Sequence, residues 1–320
     1  MSFEKNQRIV FSFWKGWSIM LKKGIIWGLH SVEPDSFRRD ISPMFNYLNL
    51  TPARLEQLII AARDRGYTFV SLDRFLRDKA DDQEHKNIVI TIDDGWKNIY
   101  THAYPVFKKH NVPFVFYIAT DLIENGFNNC RLPEMDGLLL LCDKINALPL
   151  TLPQKQHRFK RLWWWFKYIK RVLPFLSGHQ IMSFLLHDSH LDFAAYHRAG
   201  ACSVADLQEM SADDLCQIGS HTNHHVHMDR VPDPLAEALL SQAKLTEWLN
   251  RPCTHFSYPY GHHNSASDAI IRAHYDSAVL VNPADPALKR RYITDADDTY
   301  ALHRIFIESD TPIDDLLLPV

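Results

Sequence analysis

The stretch Asn87–Ile99, NIVITIDDGWKNI, ends a β-branched run in two adjacent carboxylates, Asp93 and Asp94, followed by Gly95. Charges at the tip of a buried strand do nothing for packing, and burying them is costly unless a metal or a partner offsets the cost. An Asp ahead of a helix is also an ordinary N-cap. That reading accounts for one of the two acids and poorly for the pair. Further along, CQIGS runs into His221-Thr222-Asn223-His224-His225. Histidines four apart share a face if the chain turns helical there, and two such imidazoles can hold one zinc-class ion. A surface histidine cluster, with His227 close by, is the plainer alternative. A third stretch, Ser257-Tyr258-Pro259-Tyr260-Gly261, reads as a simple turn or as a shaped rim with aromatic walls and backbone N–H groups.

Each of these stretches follows a run that reads as a strand: Ile88–Ile92, Cys216–Gly219 and Thr254–Ser257. Upstream lie a strand Gly24–Leu29 ending at His30, a polar loop over 31–50, a helix opened by Thr51-Pro52 and stopped by Gly66, a short strand Tyr67–Val70 and a helix Leu72–Asp78. A helix Trp96–His110 and a strand Val112–Ala119 follow the Asp pair. This alternation predicts a parallel sheet with helices outside, open or closed into a barrel. In such folds sites assemble past the C-terminal ends of the strands, where all three stretches stand.

The alternation stops over 122–204 and resumes with helices Ala205–Leu215, Pro234–Leu249 and Ser265–His274 and a strand Ser277–Val281. Four segments result: an N-terminal extension over 1–22, apolar over Ile9–Leu21 but broken by Lys15; a first α/β part over 23–121; a helical insertion over 122–204; and a second α/β part over 205–320. Within the insertion, Lys155–Arg171 is basic and free of acids, with Phe159, Leu162, Trp163, Phe166, Ile169, Val172 and Leu173 on one helical face and Trp164, Trp165 and Tyr168 beside it. Such a helix either lies on a membrane surface or packs on the domain with a solvated basic face. The second reading is favoured, because apolar helix faces usually belong to cores.

The chain has 320 residues and a formal net charge of -3, which gives no reason to expect nucleic acid as a partner. Its cysteines, Cys130, Cys142, Cys202, Cys216 and Cys253, are scattered and odd in number. That pattern argues against a disulfide framework or zinc knuckle and for a reducing compartment. The N-terminal extension is too short and broken to span a bilayer, so the expected location is cytoplasmic, with a peripheral membrane contact through the extension or residues 155–171.

Together TIDDG (Thr91–Gly95), HTNHH (His221–His225) and SYPYG (Ser257–Gly261) resemble the three leading motifs of the polysaccharide deacetylase family, the NodB homology domain of carbohydrate esterase family 4. The resemblance spans roughly 23–307 outside the insertion. It implies an irregular (β/α) barrel and the removal of N- or O-acetyl groups with one divalent ion, zinc expected. The substrate would be an acetylated sugar of a surface polysaccharide or lipid-linked glycan precursor. It also implies Asp94, His221 and His225 as metal ligands, Asp93 as general base and the Tyr260 backbone N–H as oxyanion donor. Tyr258, Pro259, Tyr260 and His30 would line the substrate.

The family's third motif carries an arginine, a brace on the base, where Ser257 stands, and the sequence suggests no replacement. Its fourth motif has an Asp and a later Trp, and no Trp follows Trp248. For the general acid, YALHRIFI (Tyr300–Ile307) offers His303, with His30 and Arg304 as rivals. Two other functions stay open at this point: a diverged, non-catalytic glycan- or membrane-binding domain, and a deformylase of a lipid-linked amino sugar.

Overall fold

The computed structural model describes residues 20–34, 49–126, 141–173, 178–186, 193–280 and 292–317. Its strands are β1 (Lys22–Leu29), β2 (Ser31–Val32), β3 (Asn49–Leu50), β4 (Thr68–Phe69), β5 (Asn87–Ile92), β6 (Phe114–Ile118), β7 (Cys216–Ser220), β8 (His255–Ser257), β9 (Ser277–Leu280), β10 (Ile293–Thr294), β11 (Leu302–His303) and β12 (Ile305–Phe306). The main sheet runs β10-β1-β5-β6-β7-β8-β9-β11. Every pairing from β1 through β9 to β11 is parallel, and β10 joins β1 antiparallel. One extended segment closes the ring, because β11 pairs with β9 and β12, two residues on, pairs with β1. Arg304 sits at that seam. The fold is a nearly closed (β/α) barrel.

The pleat sorts the core into two shells. Ile25, Trp27, Ile88, Ile90, Phe114, Phe116, Phe256 and Ala278 face outward under the helices. Ile26, Val89, Val115, Tyr117, Val279 and Leu302 fill the barrel, joined by Leu72 and Phe75 from the helix Leu72–Lys79, which plugs the N-terminal mouth. Gly219 is required here, since a Cβ on it would lie 2.4 Å from the Tyr117 ring, which crosses the interior.

The helices mostly follow their sequence signals. Thr51 caps Pro52–Asp64 and Ser71 caps Leu72–Lys79 through their hydroxyls. The run after Gly95 is helical but widens at Ile99–Ala103 into a π-helical turn. The strands β10–β12 have no counterpart in the sequence reading. Two residues each, they are too short for any period to register.

The described part of 122–204 is mostly helical or turn, including Leu152–Val172 and Gly178–Leu186, with a single β-bridge from Ala201 to Trp96. Phe159 and Phe166 pack with Leu141, Cys142, Ile145, Ile181 and Met182 in a core of their own, against which Leu162, Trp163 and Ile169 rest. Val172 and Leu173, expected on that face, are exposed. The extension through residue 19 and Cys130 lie outside the described residues. No helix among the described residues is long and apolar enough to cross a membrane.

Candidate metal centre at the C-terminal ends of the strands

At the tip of β5, Asp94 adopts φ 81°. A non-glycine residue at positive φ is strained and persists where its surroundings enforce it. The described chain has six: Asp94, Asn111, Thr222, His225, Asn250 and Tyr260. Asn111 and Asn250 are helix C-caps, an ordinary place for Asn. The other four crowd around one point. The Asp94 carbonyl accepts from Ala119 N at 3.0 Å, and its Oδ2 accepts from Trp96 Nε1 at 3.1 Å.

Asp94 Oδ1 is left 3.7 Å from His221 Nε2 and 3.3 Å from His225 Nε2. The chain does not turn helical after β7. Left-handed residues at Thr222 and His225 fold the loop instead, bringing the two rings to a centroid distance of 4.9 Å. Hydrogen bonds from the loop to its neighbours fix it. His221 N donates to Ile118 O, Lys244 Nζ donates to Asn223 Oδ1, and His224 N donates to Glu237 Oε2.

His221 Nδ1 donates to the Ser257 carbonyl at 2.8 Å, which leaves its Nε2 lone pair facing Asp94. His225 Nδ1 meets the Tyr260 hydroxyl at 3.0 Å. Outer partners of this kind orient metal-binding imidazoles. Burial, above all, holds the His221 pKa down to about 4, so the ring is a neutral donor at physiological pH. The ligating atoms of Asp94, His221 and His225 all lie within 4.8 Å of one another. One carboxylate and two imidazoles suit a zinc-class ion with positions left open.

Asp93 is 1% exposed and engages a fully buried Arg304 in a two-pronged pair, Nη1 to Oδ1 at 2.8 Å and Nη2 to Oδ2 at 2.7 Å. The remaining guanidinium protons go to Leu280 O, Thr91 Oγ1 and Ser257 Oγ, so all five donors are satisfied. Ser257 Oγ in turn donates to Asp93 Oδ1 at 3.2 Å. Burial pushes the Asp93 pKa up, but the charge and hydrogen bonds of Arg304, with help from His221 and His30, outweigh it and hold the carboxyl below its ordinary value. The brace absent at position 257 therefore arrives from the barrel seam. A small residue at 257 leaves room for it. An arginine in a β-rich segment one residue from His303 was the only available signal.

The remaining sequence candidates separate. His30 follows β1, stacks on Phe306 at 4.8 Å and lies near enough for its charge to lower both Asp93 and Asp94. His303 is out of phase. Leu302 faces the barrel interior and Arg304 reaches Asp93, so the pleat turns His303 to the opposite side. Tyr258 is a correction as well. It is fully buried in the outer core, edge-on to Phe256 at 5.0 Å with its hydroxyl on Asp268, and has no surface for a sugar. Pro259 is buried, and of the rim only Tyr260 and Gly261 are half-buried.

The model of the polysaccharide deacetylase family matches residues 80–151 and 164–276. No curated protein matches the sequence. Among solved structures, the Streptococcus pyogenes deacetylase PplD in complex with acetate aligns at a TM-score of 0.60 and 17% identity, covering 95% of this chain and 100% of that one. A de-N-acetylase from Aggregatibacter actinomycetemcomitans aligns at 0.59 and 14%, over 92% and 98%. IcaB from Ammonifex degensii aligns at 0.56 and 18%, over 92% and 95%. At these identities the likeness speaks for the fold.

Proposed function

The chain belongs to the polysaccharide deacetylase family, and we propose that it is a metal-dependent hydrolase removing an N-acetyl or O-acetyl group from a sugar of a surface polysaccharide or lipid-linked glycan precursor. The observation that carries this reading is the convergence of Asp94, His221 and His225 beside a carboxylate held ionised by Arg304. Those three residues would hold a divalent ion, zinc by the donor set, which would supply polarisation of the acyl carbonyl and acidification of water. Asp93 is the base: it takes the water's proton as the oxygen bonds to the acyl carbon. Arg304 and Ser257 hold Asp93 in one orientation during that transfer. The Tyr260 backbone N–H is the donor assigned to the developing oxyanion. The bond from the acyl carbon to the sugar nitrogen or oxygen then breaks, and a proton passes to the leaving group. His30 suits that last role better than His303, because it follows β1 at the same mouth as both aspartates, while the pleat turns His303 away.

Purified protein loaded with zinc should release acetate from acetylated oligosaccharides, and Asp93→Asn should lower the rate about 10²–10⁴-fold. Release of formate in place of acetate would identify a deformylase. Unchanged turnover in Asp93→Asn would sink the assignment, and binding without turnover would favour the diverged domain. That last alternative is weakened by Arg304, since the brace it supposed lost is present.

The site of action we place at an anionic lipid surface. On the helix Leu152–Val172, Trp164, Trp165 and Tyr168 are 55%, 43% and 47% exposed among basic side chains, away from the face that packs. The protein should sediment with anionic vesicles at low salt and be released at high salt. Sedimentation unaffected by Trp164→Ser with Trp165→Ser removes this part of the reading.

A further inference from the structure

Two more groupings of imidazole and carboxylate occur among the described residues. The first, Asp78, Asp81 and His85, is already occupied by protein cations and donors. Lys23 Nζ lies 3.0 Å from Asp81 Oδ1, His85 Nε2 lies 2.8 Å from Asp81 Oδ2, and Asn87 Nδ2 donates to Asp78 Oδ2 at 2.8 Å.

The second, His227, Asp229 and His262, is different. The contacts of the Asp229 carboxylate are long: Oδ2 stands 3.5 Å from His262 Nδ1 and 3.5 Å from Arg230 Nε, outside the range of a good charge-assisted hydrogen bond. Asp229 Oδ1 and His227 Nδ1 are both buried, and neither has a hydrogen-bond partner among the described residues. Buried polar atoms left this way are uncommon, and a missing ion or water is a standard cause. Two of them in one cluster of ligating side chains, whose donor atoms lie within 4.8 Å of one another, point the same way.

We propose that His227, Asp229 and His262 form a second divalent-cation site, separate from Asp94, His221 and His225. Two imidazoles and a carboxylate are a borderline N/O set that suits a zinc-class ion, with a fourth position for water. Tetrahedral ligands on bonds of about 2.0–2.1 Å stand roughly 3.3 Å apart, so the side chains close by an ångström or so. The partly exposed His262 and Asp229 have room to do so. The Arg230 guanidinium swings out to solvent, where most of its side chain already is.

The ion's role follows from where it sits. His227 is two residues past His225, and His262 two past Tyr260. The His227 ring stacks on Tyr260 at 4.3 Å, and the Tyr260 hydroxyl meets His225 Nδ1. A cation here staples the loop after β7 to the turn after β8. It fixes the relative position of a ligand of the first site and the rim residue opposite it.

The test is zinc stoichiometry and competition against a chromophoric chelator, on the full chain after removal of metal. Wild type should bind two ions per chain. His262→Ala and Asp229→Asn should each bind one, with His221→Ala also binding one and the His221→Ala/His262→Ala double variant none. Circular dichroism of the metal-free variants checks that each folds, and Asp229→Asn is the conservative control. If wild-type zinc binding survives both His262→Ala and Asp229→Asn unchanged in number and affinity, the second site is overturned. The two readings separate cleanly. An ion lost only in His221→Ala leaves the deacetylase centre and removes this one, whereas an ion lost only in His262→Ala does the reverse.

Discussion

At the N-terminal mouth of the barrel, Asp73, His255 and Ser277 stand in the order of a hydrolase triad. Asp73 Oδ1 is 3.0 Å from His255 Nε2, and His255 Nδ1 is 2.9 Å from Ser277 Oγ. At the C-terminal mouth, Asp93, Asp94, His221 and His225 meet with looser distances and no nucleophile. Residue types and hydrogen-bond lengths alone would favour the first cluster. Burial reverses the choice. Ser277 is fully buried, while the Asp73 side chain is 52% exposed. A working triad needs the hydroxyl at the substrate and the acid inside. Backbone strain divides the two ends as well: among the described residues, the non-glycine positive-φ residues outside helix caps all stand at the C-terminal mouth. The lower cluster is a network of satisfied partners, with Gln217 bridging Asp73 and Leu72 N. In the upper one, polar groups converge on a shared space. Barrels place chemistry at the C-terminal mouth and stability at the other, and here the two can be told apart by which groups remain to be satisfied.

The largest effects should come from emptying the upper cluster. Asp94→Ala and His221→Ala should each lose the ion of that centre and reduce acetate release to background, with a folded barrel by circular dichroism. Arg304 should come next. Arg304→Met leaves the Asp93 charge buried without its partner, a loss of about 3–5 kcal/mol for such pairs, measurable by urea denaturation. Asp93→Asn in the same chain should recover much of it, because the two substitutions act on one contact. The pH sign is also fixed. Arg304 lowers the Asp93 pKa against burial, so its removal lets burial raise that pKa and moves the acid limb of kcat/KM to higher pH. An acid limb that stays in place would mean that Arg304 only supports the fold. Placing the arginine back at 257, as Ser257→Arg with Arg304→Ser, should return part of the rate.

Between the mouths lies Gly219, and Gly219→Ala tests how independent they are. Its Cβ would press on Tyr117, the ring beneath Arg304 at 5.9 Å. Overpacking of this kind costs about 1–3 kcal/mol. Thermal melting should fall accordingly. Activity should fall with it only if the shift passes from Tyr117 to the guanidinium above.

The barrel was legible because its longer parallel strands are largely apolar runs bounded by turn residues, as at Ile88–Ile92 and Val112–Ala119. The candidate metal site was legible because paired acids and paired imidazoles stood at the ends of such runs. Arg304 was hidden for a physical reason. Its strands, β11 and β12, each hold a pair of residues, and nothing local says that the chain there bridges β9 and β1. A single-residue phase decides whether His303 or Arg304 faces the site, and a short strand carries no pattern to fix that phase. Tyr258 was misread for the related reason that SYPYG looks like one exposed rim. The pleat instead sends Ser257 inward to Asp93 and Tyr258 outward to Phe256. The loop after β7 was expected to bring its histidines together as a helix would. It does so by strained turns, which sequence spacing cannot distinguish from helix.

The smallest expected effect belongs to the lower cluster. The hydrogen bond to His255 is the chief reason the Asp73 carboxyl lies below its ordinary value. A carboxylate lowered on folding adds stability that is complete above its unfolded pKa, about 3.9, and is lost as pH falls through the lower folded value. Asp73→Asn should therefore flatten the acid end of the stability curve. For a half-exposed acid the loss at neutral pH is at most about 1 kcal/mol. Deacetylation should be untouched at every pH. If Asp73→Asn or Ser277→Ala abolished turnover in a protein that still binds its zinc and melts normally, the two mouths would have exchanged roles, and burial would have been the wrong criterion for choosing between them.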